Sequence, residues 1–339
     1  MKVSIVIPTF NRGYILEDAL QSVLAQDYRD FEVLVVDDGS TDKTREIVEG
    51  LGSNKVQYLR HDRNRGCSAA YNTGIMAATG QLVAFLDSDD IWKPDYLDRQ
   101  VGFLTAHPEA DVVFCDTEMP DGNSSRSLMS FMRAFPKLMR ANSTAAEHVF
   151  SGRQMYLCLL EEVPIKPTAV VIRREALGRS GTFDEAWPSG TDWDLFLRLS
   201  RVVANFGYVN RALAIQRRTS DATHQICREQ DKLFLLSVFL QEKAAAARKK
   251  DREALSAVNM GLCSHYNSLA WTYLQTGRGR MALSAYWQGF QETFRPRLIR
   301  KYIAALIRLS AKGAIKPQAG SAEVEEHKIG KYGIRDQSS

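Results

Sequence analysis

Apolar and polar positions along the first part of the chain switch repeatedly between two periods. VSIVIPTF (3–10) is an apolar run closed by Pro-Thr, which predicts a buried parallel strand. YILEDALQSVLAQ (14–26) carries apolar residues at helical spacing. FEVLVVDDGS (31–40) predicts a second buried strand ending in Asp-Asp-Gly, and TDKTREIVEGL (41–51) a helix capped by Thr or Asp. KVQYLRH (55–61) predicts a third strand. CSAAYNTGIMAATG (67–80) predicts a helix closed by Gly80 as its left-handed C-terminal residue. QLVAFLD (81–87) predicts a fourth strand. Four alternations in about 90 residues argue for an α/β domain with a mainly parallel sheet, whose ligands bind beyond the carboxyl ends of the strands. DVVFCD (111–116) predicts a fifth strand, and 117–150 a loop with one or two helices. KPTAVVIRREAL (166–177) reads as strand then helix, DWDLFLRLSRV (192–202) as an amphipathic helix, and YVNRALAIQR (208–217) as a last strand.

After about residue 222 the pattern becomes helical throughout, rich in Ala, Leu and Gln. The expected division is a catalytic-type α/β domain over 1–220, an α-helical C-terminal region over 221–316, and a polar, disordered tail over 317–339. Residues 266–290 resemble a single tetratricopeptide-like helical hairpin. Residues 295–316 are basic and amphipathic. They read either as a helix lying on an anionic membrane surface with its apolar face down, or as a terminal helix docked on the protein.

Composition changes this picture little. The 339 residues are 45% hydrophobic and 25% charged, with a net charge of +4. That is ordinary for a globular protein, and no clustered basic domain points to nucleic acid. Five scattered cysteines without CxxC spacing suggest reduced thiols rather than zinc or a disulfide framework. The first apolar run is too short for a signal peptide, and no run reaches the roughly 18 residues of a spanning helix. The expected location is cytoplasmic, with a peripheral place on the inner face of the cytoplasmic membrane if 295–316 touches lipid.

Chemistry concentrates in FLDSDDIWKPD (85–95), four aspartates in eleven positions after a buried strand. Buried carboxylates need a positive partner. The partner expected here is a cation arriving with the substrate rather than a side chain, and Asp90 is read as a cap for the segment starting at Ile91. The ordered motifs SIVIPTFNR, ALQSVLAQDY, FEVLVVDDGSTDKT and NRG…YNTGIMAATGQLVAFLDSDDIWKPDYL resemble the family 2 glycosyltransferases of GT-A fold over about residues 1–217. The resemblance implies inverting transfer of a sugar from a nucleotide-diphosphate sugar to a saccharide or lipid-linked saccharide acceptor, aided by Mn²⁺ or Mg²⁺. Asp87-Ser88-Asp89 matches the family's Asp-x-Asp motif. By that match Asp89 contacts the metal, Asp87 lies near the ribose or the metal waters, and Ser88 sits on the donor side. The bland alternative is a solvated acidic turn.

By the same resemblance Asp38 accepts a hydrogen bond from the nucleobase, and Pro8, Thr9 and Phe10 form the other wall of the base pocket. Phe10 either stacks on the base or is a core aromatic. Arg65 either reaches the base or diphosphate or is solvated. TDWDL (191–195) falls on the segment that supplies the general base, where an acceptor hydroxyl needs one. Asp192 takes that position, while Thr191 replaces the customary acidic residue. The alternative for Asp192 is a helix N-cap. His224 either completes the metal site or is incidental. Two other classes stand beside this reading. A nucleotidyltransferase would show a Gly-rich phosphate loop after the first strand, and Asn11-Arg12-Gly13 is not one. Against a decayed GT-A domain acting as a nucleotide-sugar-binding or scaffold module stand the intact Asp38, Asp89 and Asp192; Thr191 argues mildly for it.

Overall fold

In the computed structural model the described residues are 1–121, 124–130, 132, 145–162, 164–187, 190–217 and 229–311. They fall into two compact units, Met1–Gln225 and Ile226–Ser339.

The first unit is built on one sheet, with ten strands among the described residues. β1 (Val3–Thr9), β2 (Phe31–Asp37), β3 (Val56–Arg60) and β4 (Leu82–Phe85) are interleaved with α1 (Gly13–Leu24), α2 (Thr44–Gly50) and α3 (Cys67–Ala77). All four strands run parallel, in the order β3-β2-β1-β4. β1 is buried at every position, as expected for a strand covered on both faces. Its register sets Thr9 beside Asp37 and Val6 beside Phe85. The residues that follow β1, β2 and β4 therefore leave the sheet along one edge. Beyond β4 the sheet becomes mixed. β5 (Ile91–Trp92), α4 (Tyr96–Ala106), β6 (Ala110–Asp121), β7 (Ser124–Ser130), β8 (Glu147–Ser151) and α5 (Gly152–Leu159) follow. A short 3₁₀ turn (Pro167–Ala169), β9 (Val170–Arg173), α6 (Arg174–Ser180), α7 (Thr191–Val202) and β10 (Asn205–Ile215) complete the unit.

Two expectations change. The stretch after residue 116 is largely strand, because β6 continues to Asp121 and pairs antiparallel with β7. Asp121-Gly122 between two extended runs is the turn signal that marks such a hairpin. Of the loop and helices expected over 117–150, residues 133–144 lie outside the described residues. Gly80 does not close α3, which ends at Ala77. A Cβ at Gly80 would stand 2.6 Å from the Lys2 carbonyl oxygen and 2.8 Å from the Ser4 nitrogen, so glycine is required there by close approach to β1.

The second unit contains α8 (Glu229–Arg248), α9 (Arg252–Gln275), α10 (Gly279–Thr293) and α11 (Pro296–Ala311). α9 and α10 form the expected hairpin, turning at Gly277 with φ 72°. A Cβ at Gly289 would meet Tyr266 Cβ at 2.7 Å, so a small residue lets the two helices touch. On α11, Leu298 and Ala305 are buried. Leu298 and Leu309 pack against the backbone of α10 at Gly289 and Gly279. Of the stripe expected to face lipid, Leu298 and Leu309 are docked on the protein, while Ile303 and Ile307 are exposed. The tail 317–339 lies outside the described residues.

The seat of α3 on β1 orders the site. A Cβ on Gly74 would fall 2.2 Å from Val6 Cγ1 and 2.9 Å from its Cγ2, with Val6 fully buried. Gly74→Ala is expected to destabilise the first unit by about 1–3 kcal/mol through overpacking, measured as a lowered denaturation midpoint. An unchanged midpoint would mean that this helix is not seated as described.

Candidate active site

The site is assembled where β1, β2 and β4 end. Pro8 and Thr9 are buried at the end of β1. The Asp38 amide donates to the Thr9 carbonyl at 2.9 Å, locking the two strand ends together. Thr9 Oγ1 is buried without a hydrogen-bond partner among the described residues. Phe10, the next residue, is 41% exposed, so it is a surface ring beside the strand end and not a core aromatic. Asp37, at the end of β2, accepts from the Ser40 amide at 2.8 Å and from the Tyr58 hydroxyl. Gly39 turns with φ 85°.

Asp38 is 3% exposed and accepts three hydrogen bonds. The amides of Arg65 and Gly66 donate at 2.8 and 2.7 Å, and His61 Nδ1 donates at 2.7 Å. His61 Nε2 faces the Thr73 hydroxyl at 2.8 Å. Asp38 therefore shapes the Asn64-Arg65-Gly66 turn. A carboxylate offers about four acceptor positions, and three of them are used. The Arg65 side chain meets Glu185 at 3.2 Å, which links that turn to the loop before α7.

The second half of the site is the turn after β4, closed by the Asp90 amide donating to the Asp87 carbonyl at 2.9 Å. Ser88, Asp89 and Asp90 are buried. Asp87 is partly exposed, and the Tyr71 hydroxyl donates to its Oδ1 at 2.5 Å. Burial pushes the Asp87 carboxyl above the usual carboxylate range; the Tyr71 bond opposes this and the neighbouring Asp89 charge adds to it. Asp90 is not the cap expected from the sequence. The Thr168 hydroxyl donates to it at 2.7 Å and the Arg217 amide at 3.1 Å, while Thr168 Oγ1 also accepts from the Asp87 amide at 3.1 Å. Burial, followed by the charges of Asp87 and Asp89, raises Asp90 well above the ordinary range. Asp90 is a structural tie that fixes the turn.

A side chain also supplies positive charge here, contrary to expectation. Arg12 Nη1 lies 2.9 Å from Asp89 Oδ1, and Asp89 is 1% exposed. Arg217 Nε donates to the Asp89 carbonyl at 2.6 Å and its Nη1 pairs with Asp18 at 2.5 Å. Arg12 was visible in PTFNR. Its place followed from a single step: β1 and β4 are parallel neighbours, so residues just past both ends adjoin.

Asp192 occupies the first turn of α7. The N-cap is Gly190, in the left-handed conformation and without a side-chain cap bond, so Asp192 does not cap the helix. It is partly exposed, and no hydrogen bond from the described residues reaches its carboxylate. Asp194, two residues on, is held by Arg198 at 2.7 and 2.9 Å. Of the two aspartates only Asp192 is available for chemistry. Its charge acts on both Asp87 and Tyr71, which brings α7 to the same edge as the turn after β4. The junction is braced by α3. Tyr71 stacks on Phe183 at 4.6 Å, and Asn72 exchanges hydrogen bonds with the Phe183 backbone at 2.8 and 2.9 Å. The exposed Cys67, first residue of α3, feels the charges of Asp87, Arg12, Asp192 and Asp38 together. His224 lies outside the described residues.

Similar proteins agree with this architecture. The pattern that defines Glycosyl transferase family 2 matches residues 4–178. An uncharacterized glycosyltransferase of Nostoc sp. is 44% identical over 30% of this chain and 32% of its own length. The Escherichia coli protein WfgD, a UDP-Glc:alpha-D-GlcNAc-diphosphoundecaprenol beta-1,3-glucosyltransferase, is 30% identical over 52% of this chain and 61% of its own. The chain thus spans less than two thirds of the length of these relatives. Among solved structures, S. aureus TarS 1–349 in complex with UDP-GlcNAc has a TM-score of 0.59 at 17% identity, covering 94% of this chain and 93% of that one. The mannosyltransferase PcManGT from Pyrobaculum calidifontis, in complex with GDP-Man and Mn²⁺, has a TM-score of 0.54 at 21% identity, covering 93% and 81%. The family pattern covers more than half of the chain and falls on the strands and turns that build the site: this chain belongs to glycosyltransferase family 2.

Proposed function

We propose that this protein transfers a sugar from a nucleoside-diphosphate sugar to a hydroxyl of a bacterial glycan precursor, with inversion at the anomeric carbon. The observation that carries the reading is the convergence of Asp87 and Asp89 with the unbonded carboxylate of Asp192 at one sheet edge. Relatives that act on lipid-linked sugars or bind UDP-GlcNAc support the donor and acceptor classes.

In this reading Phe10 offers its exposed ring to the nucleobase, beside the unpartnered hydroxyl of Thr9 and the remaining acceptor position of Asp38. Pro8 backs this wall. Ser88 lines the turn under the donor. The Arg65 guanidinium is within reach of the diphosphate if it leaves Glu185. Asp192 takes the proton of the acceptor hydroxyl as its oxygen attacks the anomeric carbon and the bond to the diphosphate breaks. The intact machinery favours an enzyme over a purely binding or scaffold module.

The donor set fits a hard divalent cation. Asp87 and Asp89 offer carboxylate oxygens two residues apart, with the Arg12 guanidinium beside Asp89. Among the described residues no three His, Cys, Asp or Glu side chains converge as a metal cage. The chain would therefore supply a minority of ligands beside phosphate and water, which is the habit of Mg²⁺ and Mn²⁺ at phosphate sites. The cation, when bound, neutralises charge developing on the leaving diphosphate. The Mn²⁺ in the PcManGT complex supports the choice. His224 remains a candidate additional ligand.

Three outcomes are expected. Asp89→Asn abolishes manganese-dependent binding of a nucleoside diphosphate in titration calorimetry; unchanged binding would sink the metal assignment. Asp192→Asn keeps donor binding and slows transfer about 10²–10⁴-fold, the usual worth of a general base; wild-type transfer by this variant would remove Asp192 from that role. Tyr71→Phe keeps the ring stack on Phe183 but frees Asp87. It should weaken metal-dependent donor binding while lowering stability by only about 1 kcal/mol. A thermal-shift panel of nucleotide sugars with and without manganese identifies the donor, and no stabilisation by any of them would overturn the donor class.

A further inference from the structure

The apolar arc of α11 is wider than the surface that covers it. Leu298 and Ala305 are buried, and Leu309 packs on α10. Ile303 and Ile307, one turn apart on the side of the helix turned away from those residues, remain 49% and 63% exposed. At 3.6 residues per turn Arg300 shares their face, with Arg297 and Arg308 on its flank; all three arginines are exposed. A separate row of rings lies along the seam with α10. Trp287 contacts Tyr302 at 5.9 Å and Phe290 at 5.8 Å, and Phe290 contacts Phe294 at 6.2 Å. Phe294 is 76% exposed and Trp287 39%. Phe294 is held out by a left-handed backbone, φ 51°.

We propose that the outer face of α11 seats on an anionic bilayer surface, its isoleucines in the acyl boundary and its arginines among the phosphates. The charge pattern selects this occupant. Residues 279–311 hold six cationic side chains and one carboxylate, Glu292, and Glu292 is taken by Lys243 at 2.7 Å. A second copy docked through the same face would set arginines against arginines, since a two-fold interface repeats one patch on both sides. An anionic headgroup layer offers apolar depth and negative charge together. Of the stripe that the sequence pattern sets against lipid, the seat keeps Ile303 and Ile307 and leaves Leu298 docked on α10. It does not rest on the proposed transfer reaction.

The test is co-sedimentation of the full chain with vesicles of phosphatidylcholine alone or doped with phosphatidylglycerol. Binding is expected only to the doped vesicles, and it should disappear near 1 M salt, where the screening length falls to about 3 Å. Replacing two arginines, Arg300→Gln with Arg308→Gln, should lower the partition coefficient about thirty-fold at low salt. Ile303→Asp with Ile307→Asp should abolish binding with an unchanged melting temperature, because both side chains are already in solvent; if that pair fails to fold, the arginine pair decides. Failure of the wild type to bind doped vesicles overturns the proposal. So does undiminished binding by the arginine variant, or a dimer seen by light scattering that the isoleucine variant dissolves while vesicles are ignored.

Discussion

Carboxylates crowded at the edge of a sheet must each find a donor, and most of the first unit's loops are placed by that demand. Asp37, Asp38, Asp89 and Asp90 are all at most 3% exposed. An unpaired charge at that depth costs several kcal/mol. Asp38 collects two turn amides and His61; Asp90 collects Thr168 and the Arg217 amide; Asp89 collects Arg12. Each partner comes from a different segment. Satisfying the acids therefore pins the 64–66 turn, the 3₁₀ turn before β9, the end of β10 and the loop after β1 around one point. What remains uncommitted among the described residues is informative: none of them donates to the Asp192 carboxylate, and only the Tyr71 hydroxyl donates to that of Asp87.

Helix α3 transmits this arrangement to the reaction side. Gly74 lets it lie against β1. Its turn over 71–73 then sends Tyr71 to Asp87, Asn72 to the Phe183 backbone and Thr73 to His61. One short helix thus contacts the carboxylate network around Asp38, the turn after β4 and the loop leading to Asp192. Each bond is worth about 1 kcal/mol, but together they make these three segments parts of one frame. Preorganisation of that kind is where an enzyme gains from a fixed scaffold.

Much was legible in the sequence, for physical reasons. Parallel strands covered on both faces write continuous apolar runs, so β1, β2 and β4 and the helices between the parallel strands could be read directly. Ligand chemistry collects at the carboxyl ends of such strands, so Asp38, Asp87, Asp89 and Thr9 could be placed. Asp192 was found through the family's pattern. The stretch after Asp116 writes no continuous apolar run, and there the reading failed: β6 continues to Asp121 and pairs with β7.

Which residues share the edge with those acids was decided by the tertiary structure alone. Arg12 and Asp89 are 77 positions apart, Arg217 and Asp90 127. Only the parallel register of β1 with β4 and the return of β10 bring them together. Exposure of Phe10 and the missing donor at Asp192 likewise depend on what the fold does not place beside them. On α11 the sequence determined an amphipathic helix, since the period is local; packing on α10 decided which part of its apolar arc stays in solvent. Local patterns write elements and strand ends, because they depend on neighbours in the chain. Charge partners and exposed edges depend on neighbours in space, and only the folded chain supplies those.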